Sequence, residues 1–200
     1  MLSYISSLGV FALPLFILSI LCLGFSIERF FFWRRILRAH KILLGIYYSA
    51  GPLDISNMSS RFSTIPLYRL IVSINNKTFS KDSDLTVFSE VVISNSSYEM
   101  KNNHDSLNLL SVISPSIGLL GTVVGLMSSF DGLSSSDQLL ASSSIAAGVS
   151  QALGTTVFGL LISIVSTCVL SVSQRLYERE VLMLEQVAFD YLYLRSSNDV

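Results

Sequence analysis

From Gln138 to Gln174 the chain carries no Asp, Glu, Lys, Arg or His, and the same holds from Ser106 to Phe130 and from Met1 to Ile27. Each run reaches the length of roughly 20 residues that a helix needs to cross a hydrocarbon core of ~30 Å. In lipid every backbone N–H and C=O must be satisfied within the segment, so runs of this kind fold as helices. Composition agrees, with 50% hydrophobic residues and a formal net charge of −1. The 13 basic residues against 14 acidic ones leave no cationic footprint for nucleic acid.

The first run contains "LGVFALPLFILSILCLGFSI" and ends at Glu28-Arg29. It has no basic start and its apolar stretch is long, so it reads as a retained anchor rather than a cleaved signal. In "IERFFFWRR" the aromatic rings suit the membrane–water interface, with arginines just beyond, so Glu28, Arg29 and Trp33 mark that boundary. Only "DGLSSSDQ" separates the second and third runs, which therefore form an antiparallel hairpin. Pro115 is tolerable in the second span because a neighbouring helix or a hydroxyl can satisfy the carbonyl it frees.

Basic residues fix the expected sidedness. Arg29, Arg34, Arg35, Arg38, Lys41, Arg61, Arg69, Lys77, Lys81 and Lys101 fall between spans one and two, and Arg175, Arg179 and Arg195 follow span three. The N-terminal stretch and the hairpin turn contain neither Lys nor Arg. The positive-inside rule then gives a first transmembrane helix at 1–33 with its short N-terminus outside, and a cytoplasmic helical domain at 34–105. The second span is 106–130, a periplasmic turn is 131–138, the third span is 139–174, and a cytoplasmic C-terminal helix is 175–200. The fold expected is an all-α integral membrane protein with long cytoplasmic helical extensions.

The segment from Arg34 to Asp105 reads as mostly helical, with breaks at Gly51-Pro52, Pro66 and Asn75 to Lys77. After span three, Tyr177, Val181, Leu184, Ala188 and Tyr191 recur at 4-3-4-3 spacing, so the helix continues as an amphipathic element whose apolar face packs on the loop-region helices. Cys22 and Cys168 lie inside apolar runs and read as small buried hydrophobes. His40 and His104 lie in polar segments and read as surface residues. No phosphate loop, metal-ligand spacing or nucleophile–base arrangement is present, so neither a cofactor nor an enzymatic activity is expected.

The two hairpin spans are rich in small and hydroxylated residues. Ser114, Gly118, Thr122, Gly125 and Ser129 share one side of span two, widened by Gly121, and Thr155, Gly159, Ser163, Thr167 and Ser171 follow at intervals of four in span three. Small residues let helix backbones approach in lipid. That assigns packing to Pro115, Gly118, Gly121, Gly125 and Gly159, and local back-bonding to the hydroxyls of Ser163, Thr167 and Ser171. Gln151, Thr155 and Thr156 are different, because an amide and two adjacent hydroxyls need polar partners in a membrane. With Thr122 on the facing span, they are expected to line a hydrated or partner-filled space. Ion relays usually depend on intramembrane ionisable groups. These spans have none, so any titrating group must come from another polypeptide.

"SIERFFFW", "ISPSIGLLGTVVGLMSSF" and "IAAGVSQALGTTVFGLLISIV" resemble the MotA/TolQ/ExbB proton-channel family, in its three-span ExbB/TolQ-like branch. MotA-type stators carry four spans and a larger cytoplasmic domain. The resemblance implies a homopentamer in the bacterial inner membrane whose pore is lined by spans two and three. It also implies ExbD- or TolR-like single-span subunits that bring the titrating aspartate, and motion passed to a TonB- or TolA-like protein for outer-membrane transport. By the same resemblance Thr122 and Thr156 are the pore-facing threonines. Gln151 stands in "GVSQAL" where ExbB and TolQ proteins carry glutamate in "GIAEAL", and Thr155 replaces a frequent alanine. Extra hydroxyls occur in sodium-driven relatives, so proton and sodium both remain open as the coupling ion. Two other readings stay beside this one: the same motor driving gliding or secretion, and a non-conducting membrane scaffold.

Overall fold

A computed structural model of the chain describes residues 11–50, 62, 65–75, 82–131 and 138–198. The described residues are helical, without a strand: α1 (Ala12–Ala50), α2 (Pro66–Asn75), α3 (Asp82–Lys101), α4 (His104–Asp131) and α5 (Gln138–Asn198). Within them Ala12–Gly45, Val87–Phe130 and Ile145–Tyr191 are long and apolar enough to cross a membrane. The extreme N-terminus, the Gly51-Pro52 break, most of the hairpin turn and the last two residues lie outside the described residues.

Helix limits follow from backbone chemistry. Pro66 opens α2 at the position where its missing N–H costs nothing. α3 stops at Lys101, and Asn103 adopts a left-handed φ of 62°, a conformation that asparagine tolerates better than most residues. α5 contains no proline and runs unbroken for 61 residues. α1 likewise continues past the charged "ERFFFWRR" stretch to Ala50.

The chain divides into two compact units. One holds α1 up to Glu28, Asn103 with α4, and α5 as far as Ser171. Its apolar cluster is small: Leu15, Cys22, Leu110 and Ile162, with Leu18, Phe25 and Ile117 against them. The Cys22 thiol lies 3.2 Å from the Ser166 hydroxyl. Leu119, Leu120, Val123, Met127, Leu160, Leu161 and Ile164 face outward, as lipid contact requires. Cys168 is exposed, not buried as its apolar surroundings implied, because it falls on the outward stripe with Leu161, Ile164, Val165 and Val172.

The other unit holds α1 from Arg29, α2, α3 and α5 from Val172. Trp33, Ile36 and Leu43 on α1, Leu67, Leu70, Ile71 and Ile74 on α2, Ile93 and Met100 on α3, and Leu184, Val187 and Ala188 on α5 form its core. Tyr177, Val181 and Tyr191 pack on that core, so the 4-3-4-3 stripe is the face by which α5 joins it. Full burial of a side chain such as Leu70 or Leu184 contributes about 1.5–3 kcal/mol. The exposed Arg69–Glu99 pair, 2.7 Å apart, adds little.

Both histidines depart from the surface reading. His40 lies on the Trp33–Ile36–Leu43 face of α1 and is 4% exposed, with Nδ1 2.9 Å from Glu180 Oε2. A polar neighbourhood in sequence hid its place on a buried helical face, because α1 extends much further than its apolar run. His104 is buried at the first position of α4.

Candidate functional site

α4 and α5 meet along an antiparallel seam of glycines and hydroxyls. A Cβ on Gly159 would stand 2.5 Å from the Ser114 carbonyl oxygen and 3.2 Å from Gly118 Cα. One on Gly121 would fall 2.6 Å from the Thr155 hydroxyl, and one on Gly125 3.0 Å from Ala152 Cβ and 3.1 Å from the Gly148 oxygen. Gly118 lies against the backbone of Thr155 and Thr156 at 3.0–3.1 Å by the same measure. No side chain larger than hydrogen fits at Gly159 or Gly121 without movement, so the helices approach almost backbone to backbone. The approaches 114–159, 118–155, 121–155, 125–152 and 125–148 describe a single antiparallel register.

Hydroxyls along the seam satisfy backbone carbonyls. Thr156 Oγ1 donates to the Gly118 oxygen at 3.1 Å, and Thr155 Oγ1 donates to the Ala152 oxygen at 2.8 Å with a longer approach of 3.4 Å to Gly118. Thr122 Oγ1 donates to the Leu119 oxygen at 2.6 Å. Ser114 and Ser129 bond back to Leu110 and Gly125 in the same way, at 2.7 and 2.9 Å.

Pro115 lacks the N–H that would bond the Ser111 carbonyl one turn earlier. That carbonyl accepts a 2.7 Å hydrogen bond from the Ser163 hydroxyl on α5. Ser163 therefore reaches across the seam instead of bonding back within its own helix. The sequence contained the signal, since a proline inside an apolar helix always orphans the oxygen four positions before it. Ser111 and Ser163 as a pair were nonetheless not legible without the register.

The polar residues divide by exposure. Thr155 is fully buried in the seam, with Gly121 vacating the space it fills. Thr122, Gln151 and Thr156 are half-buried at its edge, and the Gln151 amide has no hydrogen-bond partner among the described residues. The four are thus brought to one stretch of the hairpin in two kinds of position, one internal and three on a margin. Among the described residues no group of three His, Cys, Asp or Glu side chains is placed to hold a metal.

At the boundary of span one, Asn103 Nδ2 donates to the exposed Glu28 carboxylate. Arg29 and Trp33 turn inward. Arg29 is 2% exposed, donates through Nη1 to the Met100 oxygen at 3.0 Å and lies 4.6 Å from the Phe32 ring centroid. Trp33 donates from Nε1 to Ser173 Oγ at 2.7 Å. The outward aromatic groups are instead Phe30 and Phe31.

Comparison with known proteins gives a consistent picture. Residues 67–186 match the MotA/TolQ/ExbB proton channel family. ExbB-like 3, from Synechocystis sp., is 28% identical over 183 residues, covering 89% of this chain and 87% of that protein. ExbB-like 1 of the same organism is 24% identical, with 86% and 70% covered. The biopolymer transport protein exbB1 of Vibrio cholerae is 27% identical over 177 residues, covering 78% of this chain and 72% of that protein.

Proposed function

This chain belongs to the MotA/TolQ/ExbB proton channel family, and we propose that it is the pore subunit of an ion-driven motor in the bacterial inner membrane. In this reading α4 and α5 form the wall of a pore shared by identical copies, five by family resemblance. An ExbD- or TolR-like single-span subunit threads the pore and carries the titrating aspartate. A TonB- or TolA-like protein transmits the motion for transport at the outer membrane. The N-terminus lies in the periplasm, and the C-terminus and residues 34–105 lie in the cytoplasm. The coupling ion is the proton, and activity at fixed pH is then indifferent to sodium.

One observation carries the reading. The glycine seam consumes the small face of the hairpin yet leaves Thr122, Gln151 and Thr156 half-buried at its margin, in spans without an ionisable residue. A wall of this kind offers hydroxyls and an amide to water, an ion or a partner's carboxylate, and it supplies no charge of its own. Thr155 belongs to the seam, where it packs and ties α5 to Gly118. Thr156 has both a tie to Gly118 and access to the margin.

Thr156→Val is the discriminating substitution, since it keeps shape and removes only the hydroxyl. The Gly118 carbonyl retains its contact with Thr155, so assembly persists while gradient-dependent work is abolished. Full gradient-dependent activity with an intact assembly would remove Thr156 from the ion path.

A further inference from the structure

Beyond the hairpin, α1 carries a second polar feature to which the motor reading gives no task. Phe31, Arg34, Arg35, Arg38, Ala39 and Ile42 recur at 3-1-3-1-3 spacing and share one face of the helix. That face, with Phe62 and Ile65 as its floor, lines an open groove of about 1130 Å³. Among the described residues no carboxylate lines it. Arg34 and Arg38 are exposed and make no ion pair among the described residues, and Arg34 rests 5.9 Å from the Phe30 ring. Like charges one helical turn apart repel, so the arrangement is unfavourable unless an anion sits between them.

We propose that this groove binds the headgroup of an anionic phospholipid. Three arguments select a lipid phosphate over other anions and over a second copy of the chain. Arginine forks suit phosphate oxygens, to which they donate in pairs. Position is the second argument: at ~1.5 Å per residue, Arg34 lies about 10 Å along α1 beyond Ile27, where the uncharged run ends. The headgroup layers widen a ~30 Å core to ~40–45 Å, and an arginine side chain reaches back several ångströms by snorkelling. Third, the membrane-proximal end of the groove is Phe31, 61% exposed, beside Phe30, equally exposed, which gives acyl chains and glycerol an apolar surface. The same face of a second copy would bring arginines against arginines.

The lipid then neutralises Arg34 and Arg38 and holds the lower part of α1 at the membrane surface. The proposal rests on the topology given above, which puts this face at the cytoplasmic leaflet. It does not depend on ion coupling.

Native mass spectrometry of the full complex released from nanodiscs tests it without any ion gradient, so its outcome is separable from that of the Thr156 experiment. The wild-type complex is expected to retain phosphatidylglycerol in preference to phosphatidylcholine. R34Q/R38Q lowers retained phosphatidylglycerol by about tenfold or more, given what each basic residue contributes near an anionic surface. R175Q/R179Q, exposed arginines outside the groove, leaves it unchanged. Equal retention of phosphatidylcholine, or unchanged retention in R34Q/R38Q, would overturn the proposal. Displacement of the lipid by millimolar inorganic phosphate would assign the site to a free anion instead. Loss of subunits from the R34Q/R38Q assembly would assign the face to contact between copies.

Discussion

Around α2 the contacts are made by large aliphatic side chains, with Leu43, Leu67, Leu70, Met100 and Leu184 fully buried. Between α4 and α5 the neighbours are glycines, threonines and serine hydroxyls, and most large aliphatic residues of the two helices are exposed, Leu110 and Ile162 being buried exceptions. On the proposed topology the difference reflects the solvent each unit meets. Apolar side chains gain by leaving water, so a water-facing unit puts Leu and Ile inside. In lipid that gain vanishes, because the surroundings are as apolar as leucine, and close backbone approach with hydroxyl–carbonyl bonds takes over. The hairpin is accordingly held by shape and by a few polar contacts. That leaves its polar margin available for other work.

Substitutions in the two units should therefore fail in different ways. The largest effect is expected at the His40–Glu180 pair, whose side chains are 6% and 4% exposed. His40→Leu removes one member of a buried pair and leaves the other uncompensated, a change that typically costs about 3–5 kcal/mol. Thermal unfolding of the purified complex should show it. Restoration of stability in His40→Leu/Glu180→Leu would confirm that the loss comes from the stranded carboxylate, whereas an unchanged melting temperature in the single variant would show that the pair is not buried in the assembly.

Gly159→Ala comes next. Its new methyl group meets the Ser114 carbonyl oxygen, a backbone atom that cannot swing aside, and overpacking of this kind costs about 1–3 kcal/mol. The readout is the mass of the assembly in mild detergent, which should fall, while the unit around α2 keeps its unfolding transition. A variant that assembles normally would show that the seam is looser than the distances imply. Ser163→Ala is the mildest change. It orphans the Ser111 carbonyl that Pro115 frees, and interhelical hydrogen bonds in membranes average only about 0.6 kcal/mol. Pro115→Ala in the same background should recover most of the loss, since it returns a donor to Ser111.

Much of this architecture is written in the distribution of charge. The three apolar helices, the α4–α5 hairpin and the amphipathic end of α5 follow from where Lys, Arg, Asp and Glu do not occur. Helical periodicity likewise exposes the glycine face of α4. What could not be read was the partner of each face. Thr155 and Thr156 are adjacent and chemically identical, and only the register tells that one fills the space left by Gly121 while the other reaches the margin. His40 was misplaced for a similar reason: its neighbours in sequence are polar, but its neighbours on the helix face are Ile36 and Leu43. Arg29 and Trp33 were legible as boundary residues and not as buried donors to Met100 and Ser173, because those bonds join residues far apart in the chain.

The central claim is that this chain furnishes a pore wall without a charge of its own. Ion flux into liposomes tests it most directly. Vesicles holding this chain alone should conduct no faster than empty ones, and vesicles holding it with a single-span partner bearing one membrane aspartate should take up protons under an imposed gradient. Comparable proton uptake by this chain alone, or by a complex whose partner aspartate has been changed to asparagine, would contradict the account.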